Sequence, residues 1–130
     1  MILVTGGTGL VGSHLLYSLI TSGVTPIVLK RASSDISKTK RVFSYYTEDA
    51  ENLFNRIKWI DGDILDYSSV LDAMEGVNYV YHTAASVSFQ SSDKNNLIET
   101  NIQGTANIVN AALERKVNKL LHVSTIGTLG

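Results

Sequence analysis

A glycine-rich segment near the start of the chain has the composition and spacing of an anion-binding turn. Residues 5–12 read TGGTGLVG and follow a short apolar run typical of a buried strand. Gly7, Gly9 and Gly12 fit the spacing G-x-G-x-x-G, and a second spacing, G-x-x-G-x-x-G, starts at Gly6. Without a Cβ, glycine lets another molecule approach its amide, and the N-terminus of a following helix offers unpaired N–H groups. The segment therefore predicts a binding site for a diphosphate, such as the one that links two nucleosides.

Short apolar runs alternate with helical periodicities and predict the scaffold that presents this turn. Strand candidates cover residues 2–5, 26–30, 58–60, 79–82 and 119–124. A helix between the first two strands ends near Gly23, and a shorter helix over 66–76 has a capping residue in Asp66 or Ser68. Strands that alternate with helices predict an α/β fold with a doubly wound parallel sheet in the order 3-2-1-4-5. In such a sheet the glycine turn lies at the carboxyl edge of the strands, where ligands bind.

Two further segments carry less regular patterns. Residues 91–93 can cap a long helix, whose predicted apolar stripe consists of Leu97, Ile98, Ile102, Ile108, Val109, Ala112 and Leu113. Residues 32–56 are polar and begin with a stretch rich in serine and lysine, which predicts a loop. Within this segment a brief helix is predicted over 47–54, after the loop.

Composition limits the classes of function that remain. The 130 residues suit one domain, and the net charge of -1 excludes a global field that would gather nucleic acid or an anionic membrane. There is no cysteine, and the three histidines lack the spacing of metal ligands, so no metal site is predicted. No basic leader precedes the first strand, and no apolar segment approaches the ~18 residues of a membrane helix. We expect a soluble cytoplasmic protein with a small-molecule partner.

Four more motifs accompany the glycine turn in a recognisable order. They are DGDILD at 61–66, HTAA at 82–85, NIQGT at 101–105 and HVST at 122–125. Together the five motifs resemble the extended short-chain dehydrogenase/reductase family, also called the NAD-dependent epimerase/dehydratase family. The resemblance spans the whole chain and implies that residues 1–130 form an incomplete NAD(P)-binding Rossmann domain, the front part of a longer oxidoreductase that forms a homodimer.

The resemblance also implies cofactor contacts. In the glycine turn they fall to Gly6, Thr8, Gly9, Leu10, Val11 and Gly12. Asp63 is similar to the family's aspartate that accepts a hydrogen bond from the adenine amino group, with the Ile64 backbone beside it, although an aspartate in D-G-D also suits a plain turn. Three small residues match those that pass beneath the phosphates and ribose, although they also suit plain packing: Thr83, Ala84 and Ala85. Asn101 matches the asparagine that organises the active site, and His82 is expected to end a buried strand.

The end of the second strand bears on the choice of cofactor. NAD enzymes normally place an acidic residue there, about twenty positions beyond the glycines, to bind the ribose 2'-hydroxyl. This chain instead has Lys30, Arg31 and Ser33. A guanidinium holds a 2'-phosphate through two hydrogen bonds, so the sequence favours NADP with Arg31 as the principal contact. NAD remains the alternative, because the cations also suit a solvated basic loop.

The catalytic residues that the resemblance implies are only partly present. Thr125, with Ser124 beside it, matches the family's hydroxyl that orients the substrate oxygen, although two hydroxyls also suit the end of a strand. The family further uses a tyrosine and a lysine four residues later, in which the lysine lowers the tyrosine's pKa. None of the six tyrosines has a lysine at that distance. We therefore expect this chain to be inactive alone.

Three functions remain open at this point. The basic end of the second strand favours part of an NADPH-dependent carbonyl reductase similar to dihydroflavonol reductases. The general motif set equally suits a nucleotide-sugar epimerase or dehydratase. A non-catalytic module that senses dinucleotides would retain the glycine turn without the tyrosine and lysine.

Overall fold

The computed structural model describes residues 1–84 and 98–124. Its strands are β1 (Ile2–Thr5), β2 (Ile27–Lys30), β3 (Lys58–Asp61), β4 (Tyr79–His82) and β5 (Lys119–His122). Its α-helices are α1 (Leu10–Thr21), α2 (Ser37–Ser44), α3 (Ala50–Phe54), α4 (Tyr67–Ala73) and α5 (Gly104–Glu114), the last preceded by a π-helical turn, Glu99–Gln103.

The described strands form one parallel sheet in the order β3-β2-β1-β4-β5, which confirms the predicted topology. β1 lies at the centre, where Leu3 pairs with Ile27 of β2 and with Val80 of β4. The predicted strand bounds differ by little, since β2 begins one residue later than expected and β5 ends at His122. The glycine turn leaves β1 beside the point where the strand order reverses, so the sheet presents it as the sequence predicted.

Helices cover both faces of the sheet, because alternate residues of the central strands are apolar on each side. On one face Leu3 and Val80 pack with Val70 of α4 and Ile108 of α5. On the other, Val4 packs with residues of α1, α2 and α3, among them Leu16 and Phe43. Each fully buried aliphatic or aromatic side chain contributes roughly 1.5–3 kcal/mol to folding, so both layers stabilise the edge that carries the glycine turn.

Helix α2 corrects the prediction of an uninterrupted polar loop after β2. It spans Ser37–Ser44 and turns Thr39 and Phe43, one helical turn apart, into the core, where both are fully buried. Asp35 accepts a hydrogen bond from the Ser37 amide at 3.0 Å, which supports the start of the helix. The ring of Phe43 lies 5.5 Å from that of Tyr17. The helix is therefore fixed by contacts with α1 rather than by its own composition.

The apolar stripe predicted along the last helix is wrong in part. Ile108 and Ala112 are buried, but Ile102 and Leu113 are 65% and 72% exposed. The buried face instead includes the small or polar residues Gly104, Asn107 and Ala111, because α5 packs closely on α4 and on the loop after β3. Residues 91–93 and Leu97 lie outside the described residues.

The residues predicted to end α1 and to begin and end α4 have the expected conformations. Gly23 and Gly76 adopt positive φ angles of 92° and 73° after α1 and α4. The Asp66 side chain accepts a hydrogen bond from the Ser68 amide and caps α4. Within residues 1–84 and 98–124, no helix is long and apolar enough to cross a membrane.

Candidate functional site

A cleft of about 320 Å³ lies at the carboxyl ends of β1, β2 and β3. The glycine turn forms its floor, the segment after β2 forms one wall, and the loops after β3 and β4 form the others. The lining residues are Thr5, Gly6, Gly7, Thr8, Gly9, Leu29, Lys30, Arg31, Ser34, Lys38, Gly62, Asp63, Ile64, Leu65, Thr83 and Ala84.

The glycine turn is built by close backbone contacts that exclude side chains. Gly6 has a φ of 76°, and a Cβ there would lie 2.5 Å from Thr83 Oγ1 and from the Ala84 nitrogen. A Cβ at Gly12 would lie 2.0 Å from the Gly6 carbonyl oxygen, so the first turn of α1 packs directly on the residue that follows β1. Gly9 occupies the N-cap of α1 in an extended conformation, with no side-chain cap. The first amides of α1 are therefore not occupied by a capping side chain, as anion binding requires.

Two hydroxyls hold the carbonyl group of Gly7. Ser13 of α1 donates a hydrogen bond to it at 3.1 Å, and Thr39 of α2 donates another at 2.7 Å. All three residues are buried. Because the hydroxyls come from both neighbouring helices, the orientation of the Gly7 peptide is fixed before any ligand binds.

The loop after β3 brings Asp63 and Ile64 to the opposite wall of the cleft. Asp63 Oδ1 accepts a hydrogen bond from the Leu65 amide at 2.9 Å. The Asp63 amide donates to Ser69 Oγ at 3.0 Å. Asp63 thus stabilises its own turn while it lines the cleft, so the structural and binding interpretations of this aspartate are compatible.

The cations after β2 are not equivalent. Lys30 Nζ pairs with Asp61 Oδ1 at 2.5 Å across β2 and β3, so its ammonium group already has a carboxylate partner. Arg31 is exposed at the mouth of the cleft. Neither ion pair in the described part of the chain, Lys30 with Asp61 or Lys40 with Glu51, involves it. Lys38, on the first turn of α2, adds a second cation to this wall.

The end of β4 supports the floor of the cleft through Thr5. Thr83 Oγ1 donates a hydrogen bond to the Thr5 carbonyl at 2.6 Å, and the Ala84 amide donates to Thr5 Oγ1 at 3.3 Å. His82 lies behind them, with Nδ1 2.7 Å from Thr5 Oγ1 and Nε2 2.9 Å from Thr105 Oγ1. These contacts connect β1, β4 and the first turn of α5.

His82 is a neutral structural histidine in this arrangement. It is buried, and its ring stacks on that of His122 with centroids 5.3 Å apart. Burial, and secondarily the charge of His122, lowers the pKa of His82 from 6.5 to about 4. A neutral ring satisfies both threonine contacts, with one nitrogen as donor and the other as acceptor.

Residues 2–130 match the sequence model of the NAD dependent epimerase/dehydratase family. The chain belongs to this family. Among curated relatives, a UDP-glucose 4-epimerase of Rickettsia rickettsii is 34% identical over 95% of this chain and 36% of its own length. Sterol demethylase protein B of Methylococcus capsulatus is 31% identical over 98% of this chain and 35% of its own length. The chain thus spans about a third of the length of the curated relatives that it matches.

A solved family structure has the same fold. The UDP-glucose-4-epimerase of Stenotrophomonas maltophila, described with bound NAD and formylated UDP-arabinopyranose, superposes with a TM-score of 0.79 and 25% identity. The superposition covers 99% of this chain and 38% of that one.

The structure brings one group of the residues expected from the family motifs together around the cleft. That group comprises Gly6, Thr8, Gly9, Arg31, Asp63, Ile64, Thr83 and Ala84. Gly12 supports the turn from beneath, whereas Leu10 and Val11 are exposed on the first turn of α1 and do not line the cleft.

The remaining expected residues lie apart from the cleft or beyond description. Asn101 is exposed in the π-helical turn, and Ser124 is exposed just after β5. Ala85 and Thr125 lie outside the described residues. Within residues 1–84 and 98–124, no cluster of three or more histidines and carboxylates could hold a metal ion.

Several residues of the site were not found from the sequence, among them Ser34, Lys38 and Asn107. Ser34 lies in the turn between β2 and α2, Lys38 lies on the first turn of α2, and Asn107 reaches the loop after β3 from α5. The serine- and lysine-rich segment that holds the first two was interpreted as a loop. Asn107 lies two residues beyond the motif NIQGT, and no spacing rule distinguishes it from an exposed asparagine.

Proposed function

We propose that this chain binds a nicotinamide dinucleotide in the cleft, with the pyrophosphate at the glycine turn. The observation that carries the proposal is the contact of Gly6 with Thr83 and Ala84 beneath the uncapped N-terminus of α1. It leaves the backbone of Gly6, Gly7 and Gly9 to line the cleft beside that helix N-terminus, which suits a diphosphate. The bound NAD of a solved relative with the same fold supports the same ligand.

The longer protein is proposed to be a nucleotide-sugar epimerase or dehydratase. The UDP-glucose 4-epimerases among its relatives favour this reaction class. The coenzyme, when bound, supplies hydride transfer. The described residues of this chain bind and orient it, while Ser124 and Thr125 stay predicted partners of the substrate oxygen. A small-molecule substrate and a homodimer are part of the same proposal.

A second candidate is an NADPH-dependent carbonyl reductase similar to dihydroflavonol reductases. The observation that favours it is the pair of cations, Arg31 and Lys38, at the mouth of the cleft. Because Lys30 is paired with Asp61, these two would carry the recognition of a 2'-phosphate, with Ser34 as a neutral hydrogen-bond partner. A preference for NADP would favour the carbonyl reductase over the epimerase or dehydratase.

Calorimetric titration of the 130-residue chain with NADH and NADPH tests both candidates. Saturable binding of either coenzyme supports the proposed cleft, and no heat from either at millimolar concentration contradicts it. A preference of about tenfold or more for NADPH, the size of one charge-assisted hydrogen bond, supports the reductase. Equal or NADH-biased binding supports the epimerase or dehydratase.

A further inference from the structure

Asn107 is a buried amide whose two ends both have partners. It is 7% exposed and lies on the face of α5 that packs against the loop after β3. Its Nδ2 donates a hydrogen bond to the Ile64 carbonyl oxygen at 2.7 Å. Its Oδ1 accepts one from Gln103 Nε2 at 3.1 Å, which fixes the orientation of the amide plane. A buried polar side chain this well satisfied holds its partner in one position.

The same loop residue is also held through its side chain. A Cβ at Gly104 would lie 2.5 Å from Cδ1 and 2.9 Å from Cγ1 of Ile64. Ile64 thus packs directly on the backbone of the first turn of α5, and only glycine permits that approach. The helix therefore holds Ile64 at two points, its carbonyl group and its side chain.

The loop held in this way is the wall of the cleft farthest from β1. Gly62, Asp63, Ile64 and Leu65 all line it. With the pyrophosphate at the turn after β1, one nucleoside must extend towards β2 and β3 and the other towards β4 and β5. The base of the first nucleoside then meets Asp63 and Ile64.

We propose that Asn107 is a positioning residue for the purine subsite of this cleft, an inference that rests on the proposed function. Asn107 does not touch the ligand. It fixes the Ile64 peptide so that the Asp63 carboxylate and the neighbouring backbone meet the edge of an adenine. Without its amide the partly buried Ile64 carbonyl loses its donor, and the loop turns to find water.

The test compares a coenzyme with its hypoxanthine analogue, in which an oxygen replaces the 6-amino group of adenine. The wild-type chain is expected to bind NADH about tenfold or more tightly than nicotinamide hypoxanthine dinucleotide. The reason is that the analogue lacks the amino group from which the Asp63 carboxylate accepts a hydrogen bond. Asn107→Asp, which has the same size but no donor, is expected to bring that ratio close to one. The matched control is Asn110→Asp on the exposed face of the same helix, which should keep the wild-type ratio.

The outcomes distinguish a failure of the proposed function from a failure of the inference on Asn107. No binding of either dinucleotide by the wild type overturns the proposed function and this inference together. Equal binding of the two by the wild type, or an unchanged ratio in folded Asn107→Asp, overturns the inference alone. A ratio that falls in Asn107→Asp and not in Asn110→Asp supports it.

A second measurement applies if Asn107→Asp does not fold. In the wild-type chain labelled with nitrogen-15, 5'-AMP is expected to shift the side-chain amide resonances of Asn107 more than those of Asn110. Inosine 5'-monophosphate should produce a smaller shift. The same response to both nucleotides, or none to either, overturns the inference.

Discussion

Thr39 Oγ1 donates a hydrogen bond to the Gly7 carbonyl oxygen at 2.7 Å and joins helix α2 to the glycine turn. The two residues are 32 positions apart, and both are buried. The residue before Thr39 is Lys38, a cation at the mouth of the cleft. One hydrogen bond therefore couples the floor of the cleft to the wall that carries its positive charge.

Replacement of Thr39 by valine tests this coupling. Thr39→Val keeps the shape of the side chain but leaves the Gly7 carbonyl with Ser13 as its hydroxyl donor, so the free energy of unfolding should fall by about 1–2 kcal/mol. Urea denaturation provides the measurement. Thr21→Val is the control, because Thr21 is exposed and bonds only within α1. Equal stabilities of the two variants would mean that the Thr39 bond has no role in holding α2.

Substitutions at Gly6 and Gly23 separate the effect of steric contact in the glycine turn from that of backbone strain alone. Both have positive φ, but a Cβ meets Thr83 and Ala84 at Gly6 and nothing within 4 Å at Gly23. Gly23→Ala should cost roughly 1 kcal/mol through backbone strain alone and leave coenzyme affinity unchanged. Gly6→Ala should cost more stability and abolish coenzyme binding. Thermal unfolding and calorimetry measure both effects, and coenzyme binding by Gly6→Ala at wild-type affinity would refute the turn as the binding surface.

Arg31 is predicted to select between the two coenzymes. In Arg31→Ala the affinity for NADPH should fall by about tenfold or more, while the affinity for NADH changes little, because only the 2'-phosphate is a partner of the guanidinium. Arg56→Ala is the control, since Arg56 is exposed and does not line the cleft. Parallel losses for both coenzymes in Arg31→Ala would show that Arg31 does not recognise the 2'-phosphate.

His82 predicts a specific dependence of stability on pH. Its folded pKa of about 4 lies below the ordinary 6.5, so between these values the unfolded chain binds a proton that the folded chain does not. The contribution of His82 is therefore fully present above pH 6.5 and is lost as the pH falls towards 4, by up to about 3 kcal/mol. Below that the contribution is constant.

Denaturation at several pH values, in wild type and in two histidine variants, measures this loss. His82→Gln removes the titrating group, so its stability should vary less over the same pH interval. His14→Gln should keep the wild-type dependence, because His14 bonds to Tyr46 and not to the threonines that contact His82. Identical pH profiles for the wild type and His82→Gln would contradict the assignment of a buried neutral ring.

The sequence predicted the sheet and the glycine turn because both depend on local patterns. Short apolar runs become parallel strands, and the spacing of Gly6, Gly9 and Gly12 has meaning only in a strand-turn-helix segment. The alternation of strands and helices along the chain then predicted the order 3-2-1-4-5, which the sheet confirms. The resemblance to the family, rather than a local pattern, implied cofactor contacts for Asp63, Thr83 and Ala84, and all three line the cleft.

What sequence reasoning missed depends on contacts between distant residues. Helix α2 turns only Thr39 and Phe43 inward, and the partners that fix them belong to the glycine turn and to other helices. Asn107 and Asn110 are both asparagines of α5, and only the Ile64 carbonyl distinguishes the buried one. From the sequence Lys30 was a candidate phosphate contact, but in the structure it pairs with Asp61 of the neighbouring strand β3.

Amide resonances of the glycine turn provide the most direct test of the central claim, that the turn binds the pyrophosphate of a dinucleotide. Addition of coenzyme to the nitrogen-15-labelled chain should shift the backbone amides of Gly7, Thr8 and Gly9, which line the cleft, strongly. The amide of Gly23, at the far end of α1, should remain in place. Saturation with coenzyme that leaves the turn's resonances unmoved, or shifts them no more than that of Gly23, would contradict the account.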